Sequence, residues 1–191
     1  MRFTPIVMIA VALLAAPGAG HAVTENFRCS YDSREVNETR NANLAVMGLN
    51  VRADRTEYML WESKIEQDKQ KRFLKLARLF ISGPNERKLF VLWHGATGEG
   101  ATAMGYGERV LMEPEEADKL LATLEGAAKL DPRQEALFCS EGGLAVSLSR
   151  DAPAVFAFYN AHSAQFTTVQ VPWGDELAAL IAGFRRLTKG P

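Results

Sequence analysis

The sequence predicts an α+β fold, an antiparallel sheet with helices packed on one face, and three observations predict it. Apolar runs of strand length are joined by connections too short for parallel pairing. Two segments repeat apolar residues at helical spacing, and each follows strand-like runs. Once an N-terminal leader is set aside, 169 residues remain, a length that suits one core.

The leader comes first in the chain. Met1 and Arg2 precede an uninterrupted apolar run over residues 6–16, Pro17 and Gly18 break it, and Gly20-His21-Ala22 places small residues where a signal peptidase reads. The expected organisation is therefore a cleavable signal peptide over residues 1–22 and a single globular domain over residues 23–191, periplasmic or secreted. No later run approaches the roughly twenty apolar residues of a membrane helix, so a soluble product is expected. Without Arg2 the chain keeps 21 basic and 23 acidic side chains, a net charge of −2, which argues against a dedicated nucleic-acid binder. Cys29 and Cys139 are the two cysteines, and in an oxidising compartment they are expected to form one disulfide. Closing a loop of that length contributes about 4 to 5 kcal/mol in the chain-entropy model, as an upper figure.

The elements follow in order. Residues 27–31 read as a short first strand. Residues 33–50 are polar and then apolar around Leu44, Val46, Met47 and Leu49, with Ser33 placed to cap a helix. Residues 56–65 fit strand and helix periods equally. In residues 66–82, Phe73, Leu76, Ala77 and Phe80 recur at helical spacing, Lys75, Arg78 and Ser82 share the other face, and Gly83-Pro84 stops the segment, so a helix is expected there. Residues 88–93 form a strand, followed by a glycine-rich turn and a second strand ending near residues 110–112, a hairpin. Pro114, with Glu115 and Glu116 behind it, opens a helix whose face is Ala117, Leu120, Leu121 and Leu124. Strands over 144–149, 155–159 and 166–171 come next, separated by Arg150-Asp151-Ala152-Pro153 and Asn160-Ala161-His162-Ser163. The chain closes with a helix striped by Leu177, Leu180, Ile181, Phe184 and Leu187 and ended by Gly190. Strands followed by a helix thus occur twice, a duplicated strand-strand-helix pattern or simply the commonest way to cover an antiparallel sheet.

The chemistry-bearing residues are few. Gly98-Glu99-Gly100 begins a dinucleotide-type pattern after a strand, but Gly105 and Gly107 would fall inside the helix that a phosphate cradle needs, and no lysine supplies a P-loop; a hairpin loop is expected. Cys139, in Phe138-Cys139-Ser140-Glu141-Gly142-Gly143, superficially resembles the nucleophile of cell-wall cysteine peptidases. Those enzymes place the cysteine at a helix start with a histidine on a following strand; here a glycine pair and an alternating strand follow. A metal would have to use His94, His162 and one of Glu99, Glu108 or Glu141, with neither a histidine-pair nor a cysteine-pair motif present, so no metal and no cofactor is expected. Glu99, Glu108, Glu141 and Asp151 are loop carboxylates of unknown spacing, and Ser147 and Ser149 lack a nucleophile elbow.

Residues 64–78 carry six basic side chains against Glu66 and Asp68. If helical, Lys69, Lys71, Arg72, Lys75 and Arg78 are candidate contacts to an anionic surface, with a solvated core helix as the ordinary alternative. Trp93, Met104, Tyr106 and Trp173 are candidate contacts to a protein partner, though core packing explains them equally. The function these features favour is a non-catalytic envelope protein that binds another protein, inhibitor- or immunity-like. The alternatives are a cell-envelope hydrolase with loop-borne catalytic residues and a lipid or anionic-surface binder that touches the membrane without being integral to it.

Overall fold

The computed structural model describes residues 29–39, 52–64, 70–82, 86–98 and 108–190. The expected leader, the glycine-rich loop, Lys69, Met104 and Tyr106 lie outside the described residues. A helix over residues 33–39 (α1) comes first. Four strands follow, β1 Arg52–Glu62, β2 Gln70–Ser82, β3 Arg87–Gly98 and β4 Arg109–Met112, and then α2, Pro114–Gly126, with a 3-10 turn over Ala127–Lys129. The order then repeats: β5 Glu135–Cys139, β6 Leu144–Ser149, β7 Ala152–Asn160, β8 Gln165–Val171 and α3, Asp175–Lys189.

The α+β class is as expected, with the strands divided between two sheets. Each sheet is antiparallel and ordered as the chain runs, β1-β2-β3-β4 and β5-β6-β7-β8. The repeating unit is therefore four strands and a helix, larger than the strand-strand-helix pattern of the sequence. Neither unit encloses its own core. Leu74, Leu76, Phe90, Leu92, Val110 and Met112 of the first sheet meet Val146, Leu148, Phe156, Phe158, Val169 and Val171 of the second in one buried cluster, with Leu120 and Leu124 of α2 and Leu180 and Phe184 of α3. The helices cross over as well: α2 touches β5, and α3 touches β1 and β2. Asp118 pairs with Lys189 at 2.8 Å and Glu125 with Arg185 at 2.8 Å, an order that runs α2 and α3 antiparallel to one another.

The second half matches its expectation except that a further strand, β5, precedes the three expected ones and β7 begins at Ala152, inside the expected turn over 150–153. The hairpin of β3 and β4 forms, α2 begins at Pro114, and α3 ends at Gly190, whose φ is +83°, a conformation glycine adopts without strain. Three expectations are corrected. The expected basic amphipathic helix over 66–82 is not found in its described part: residues 70–82 are β2, paired on both sides, and residues 66–69 lie outside the described residues. The run Phe73 to Ile81 is nearly continuous in apolar residues because a central strand buries both faces, and such a run also satisfies helical spacing. As a strand, β2 alternates its side chains, so Lys71 and Lys75 point to one face, and Arg72 and Arg78 to the other. The second correction is at residues 29–31, which are irregular; the chain there lies over the outer face of the second sheet and joins no ladder. The third concerns the cap of α1: Asp32 Oδ1 accepts the N–H groups of Arg34 at 2.8 Å and Glu35 at 3.1 Å, so Asp32 caps the helix in place of Ser33.

Candidate functional site

The expected disulfide between Cys29 and Cys139 is present, with Cα atoms 5.7 Å apart. It binds the N-terminal segment to the end of β5. Cys29 packs on Ala145 and Ala157, where two alanines keep the outer face of the second sheet flat enough for the chain to lie on it. Tyr31 donates its hydroxyl to the Leu144 carbonyl at 2.6 Å, and its ring stands 5.4 Å from Tyr159 and 5.9 Å from Phe166. Val36, 2 % exposed, packs with Tyr159 and Ala161, and Ser33 hydrogen-bonds the Tyr159 hydroxyl at 2.8 Å.

Between this segment and the β5–β6 turn lies a cleft of about 460 Å³, lined by Ser30, Tyr31, Asp32, Glu35, Val36, Thr39, Cys139, Ser140 and Glu141. Asp32, Glu35 and Glu141 are exposed, and among the described residues the lining contains no lysine, arginine or histidine. The turn is built tightly. Ser140 N–H donates to the Leu144 carbonyl at 2.8 Å, and Gly143 N–H to the Ser140 carbonyl at 3.2 Å. Gly143 takes φ +91°. A Cβ on Gly142 would stand 3.0 Å from Val110 Cγ1 and 3.2 Å from the Leu111 carbonyl oxygen, so the turn abuts β4 as only glycine permits.

Beneath the turn, Glu116 Oε1 of α2 accepts the Glu141 N–H at 3.1 Å, and Ser140 hydrogen-bonds the same carboxyl. Burial holds the Glu116 carboxyl above its ordinary range; the Glu141 N–H bond opposes this, and the Glu141 charge adds to it. Burial likewise pushes the Tyr31 hydroxyl far above the usual tyrosine range. Ser140 Oγ accepts the Leu144 N–H at 3.1 Å, so this serine is a structural member of the turn.

The remaining candidates are dispersed. Cys139 is bridged and offers no thiol. His94 is 6 % exposed; its Nε2 accepts the Glu108 N–H at 3.2 Å, and its ring packs on Phe158 with centroids 4.6 Å apart. His162 is exposed in a turn closed by Asn160 Oδ1, which accepts the N–H groups of His162 and Ser163. Among the described residues no group of three histidine, cysteine, aspartate or glutamate side chains is gathered as a metal ion needs. Ser147 donates to Glu135 at 2.6 Å. Of the candidate partner contacts, Trp93 packs on the outer cluster of the first sheet, whereas Trp173 packs on the shared core and donates Nε1–H to the Ala152 carbonyl, so the two belong to different clusters. The basic residues are divided too: Lys75 lies 4.9 Å over the Phe73 ring, while Arg72 acts on His94. Among the described residues no helix is long and apolar enough to cross a membrane.

Tyr31, Glu35 and Glu116 were not singled out from the sequence. The first two were within reach of it, because pairing Cys29 with Cys139 brings the neighbours of one cysteine against those of the other. Glu116 carried no such signal. Compared with known proteins, the chain matches no family model, no curated protein and no solved structure.

Proposed function

We propose that the chain is an exported, non-catalytic envelope protein that binds another protein, in the manner of an inhibitor or immunity protein, through the cleft between residues 30–39 and the β5–β6 turn. The observation that carries this reading is the lining: exposed carboxylates of Asp32, Glu35 and Glu141 around Val36 and the Tyr31 ring, clamped by a disulfide. An open cleft of one sign attracts the opposite charge, and clamping both walls lowers the ordering cost of association. The fitting occupant is a lysine or arginine side chain presented by a partner, its stem on Val36 and Tyr31 and its head among the carboxylates. The disulfide supports an oxidising compartment, which accords with export under the expected leader.

The test is affinity capture from the host's envelope with the oxidised protein and with a Glu35→Lys, Glu141→Lys variant. One stoichiometric partner captured by the wild type and lost by the variant is the expected result. A partner retained equally by both, or no partner at all, overturns the reading.

One observation favours a second reading, the loop-borne hydrolase. Glu116 and Glu141 are neighbouring carboxyls, and burial holds the Glu116 carboxyl above its ordinary range, as a general acid acting on glycosidic bonds requires. Release of soluble fragments from cell-envelope polysaccharide, abolished by Glu141→Gln, would replace the binding reading with this one.

A further inference from the structure

Of the described residues that line the cleft, six lie on the segment 29–39 and three on the β5–β6 turn, and the two walls are joined covalently by Cys29–Cys139. The ends of that bond differ: Cys139 is exposed, whereas Cys29 is 8 % exposed beneath the segment. The segment is also separable from the rest of the fold. None of its residues belongs to the cluster that unites the two sheets with α2 and α3. Among the described residues its hold on the second sheet includes two satellite clusters around Cys29 and Val36 and side-chain hydrogen bonds from Tyr31 and Ser33. Elements held by few buried apolar contacts open locally, without the core.

We propose that the Cys29–Cys139 disulfide is a redox clasp on the cleft, opened by a dithiol that attacks Cys139, the exposed residue of the pair. The attacking thiolate forms a mixed disulfide with Cys139 Sγ, the Cys29–Cys139 bond breaks, and Cys29 leaves as a thiolate that takes up a proton. The second thiol of the dithiol then attacks its own mixed-disulfide sulfur, releasing Cys139, which is protonated in turn. The protein gains two electrons and two protons, and the dithiol leaves as its disulfide. Access selects Cys139 as the sulfur attacked, and the carboxylates of Asp32, Glu35 and Glu141 favour a dithiol borne on a neutral or basic protein face over an anionic small thiol. Reduction then removes one wall of the cleft and leaves the two sheets folded.

The clasp deepens the binding role proposed above, yet its tests need no partner, so either reading can fail alone. The first test incubates the full oxidised chain with a thioredoxin-type dithiol protein whose resolving cysteine is replaced by serine, and maps the trapped adduct by peptide mass spectrometry. An adduct on Cys139 is expected; an adduct on Cys29, or none, overturns the proposal. The second measures amide hydrogen exchange for the oxidised protein, the dithiothreitol-reduced protein and the Cys29→Ser, Cys139→Ser variant. In the latter two, exchange within residues 33–39, including the Val36 N–H bonded to Asp32, should accelerate by about tenfold or more while β6, β7 and β8 keep their protection. Unchanged protection of the segment overturns the clasp, as does exchange of segment and sheet together, which would make the disulfide a general stabiliser.

Discussion

Acid should weaken this protein through His94, by an amount the structure supplies. The ring lies on the core side of β3, against Phe158 of β7, and its Nε2 accepts the Glu108 N–H. Glu108 in turn accepts Asn160 Nδ2 at 2.6 Å, so one network spans the two sheets. Burial, and to a smaller extent the Arg72 guanidinium on β2, lower the His94 imidazole from 6.5 to about 4. A proton on Nε2 would also set two donors against each other, since the Glu108 N–H occupies that lone pair.

The sign follows from which state binds the proton. Between pH 6.5 and 4 the unfolded chain protonates this histidine and the folded chain does not, so stability is full above 6.5 and declines as pH falls through the window. At about 1.4 kcal/mol per pH unit the loss is about 3 kcal/mol. Glu116 acts with the opposite sign, because a carboxyl held above its ordinary range binds its proton first in the folded state. The clean measurement is therefore a difference. Urea unfolding of the oxidised protein and of His94→Gln, followed by tryptophan fluorescence from pH 7.5 to 4, should show the wild type losing about 3 kcal/mol more than the variant. The glutamine keeps an acceptor for the Glu108 N–H and does not titrate. A stability difference that stays constant across the range would refute a buried, neutral His94.

Two further tests bear on the turn and on the helix starts. Gly142→Ala should destabilise by about 1 to 3 kcal/mol, because its Cβ meets Val110 and the Leu111 carbonyl oxygen; Gly126→Ala, with nothing within 4 Å at the end of α2, should be neutral or stabilising by up to about 1 kcal/mol. Equal costs in urea unfolding would contradict the close approach of the turn to β4. Glu116→Gln should raise the melting temperature at neutral pH, since it removes a charge that burial disfavours and keeps an acceptor for the Glu141 N–H, whereas Glu176→Gln should lower it, since hydrogen bonds from Trp61 and Lys64 hold that carboxylate below its ordinary range. Shifts of the same sign in calorimetry would sink the distinction between the two glutamates.

What was legible in the sequence depended on how each segment is buried. The strands from Leu144 to Val171 are separated by short polar turns, and α3 exposes one face and buries the other, so period and punctuation agree there. In β2 they conflict: a strand buried on both faces loses its period of two, and Gly83-Pro84 punctuates a strand end as well as a helix end. β5 escaped notice because five residues of an edge strand, with only Phe138 fully buried, carry too little alternation to read. Cys29 and Tyr31 alternate like a strand because they do point inward together, onto the face of a sheet rather than along its edge. The disulfide was legible from the cysteine count and compartment alone. The cleft was not, since it is made by a contact between residues 110 apart in sequence, whose neighbours Glu35 and Glu141 read singly as solvated acids.

The repetition of the unit locates where the two halves differ chemically. Glu116 and Glu176 both sit in the first turn of the helix that closes a unit, and each reaches across to the end of the other unit's first strand. Glu176 Oε2 accepts the Trp61 Nε1–H at 2.7 Å, and its Oε1 pairs with Lys64 at 3.1 Å. Glu116 instead accepts a backbone N–H from Glu141, a second acid. At one crossing the carboxylate meets a cation and an indole, and the junction is electrostatically satisfied. At the other it meets the like charge of Glu141, opposed by Lys119, next to the disulfide and under a turn that demands two glycines. A pair of acids at one of two matching junctions is not required by the fold, because the opposite junction closes without one. This asymmetry supports the proposed recognition site at the β5–β6 turn.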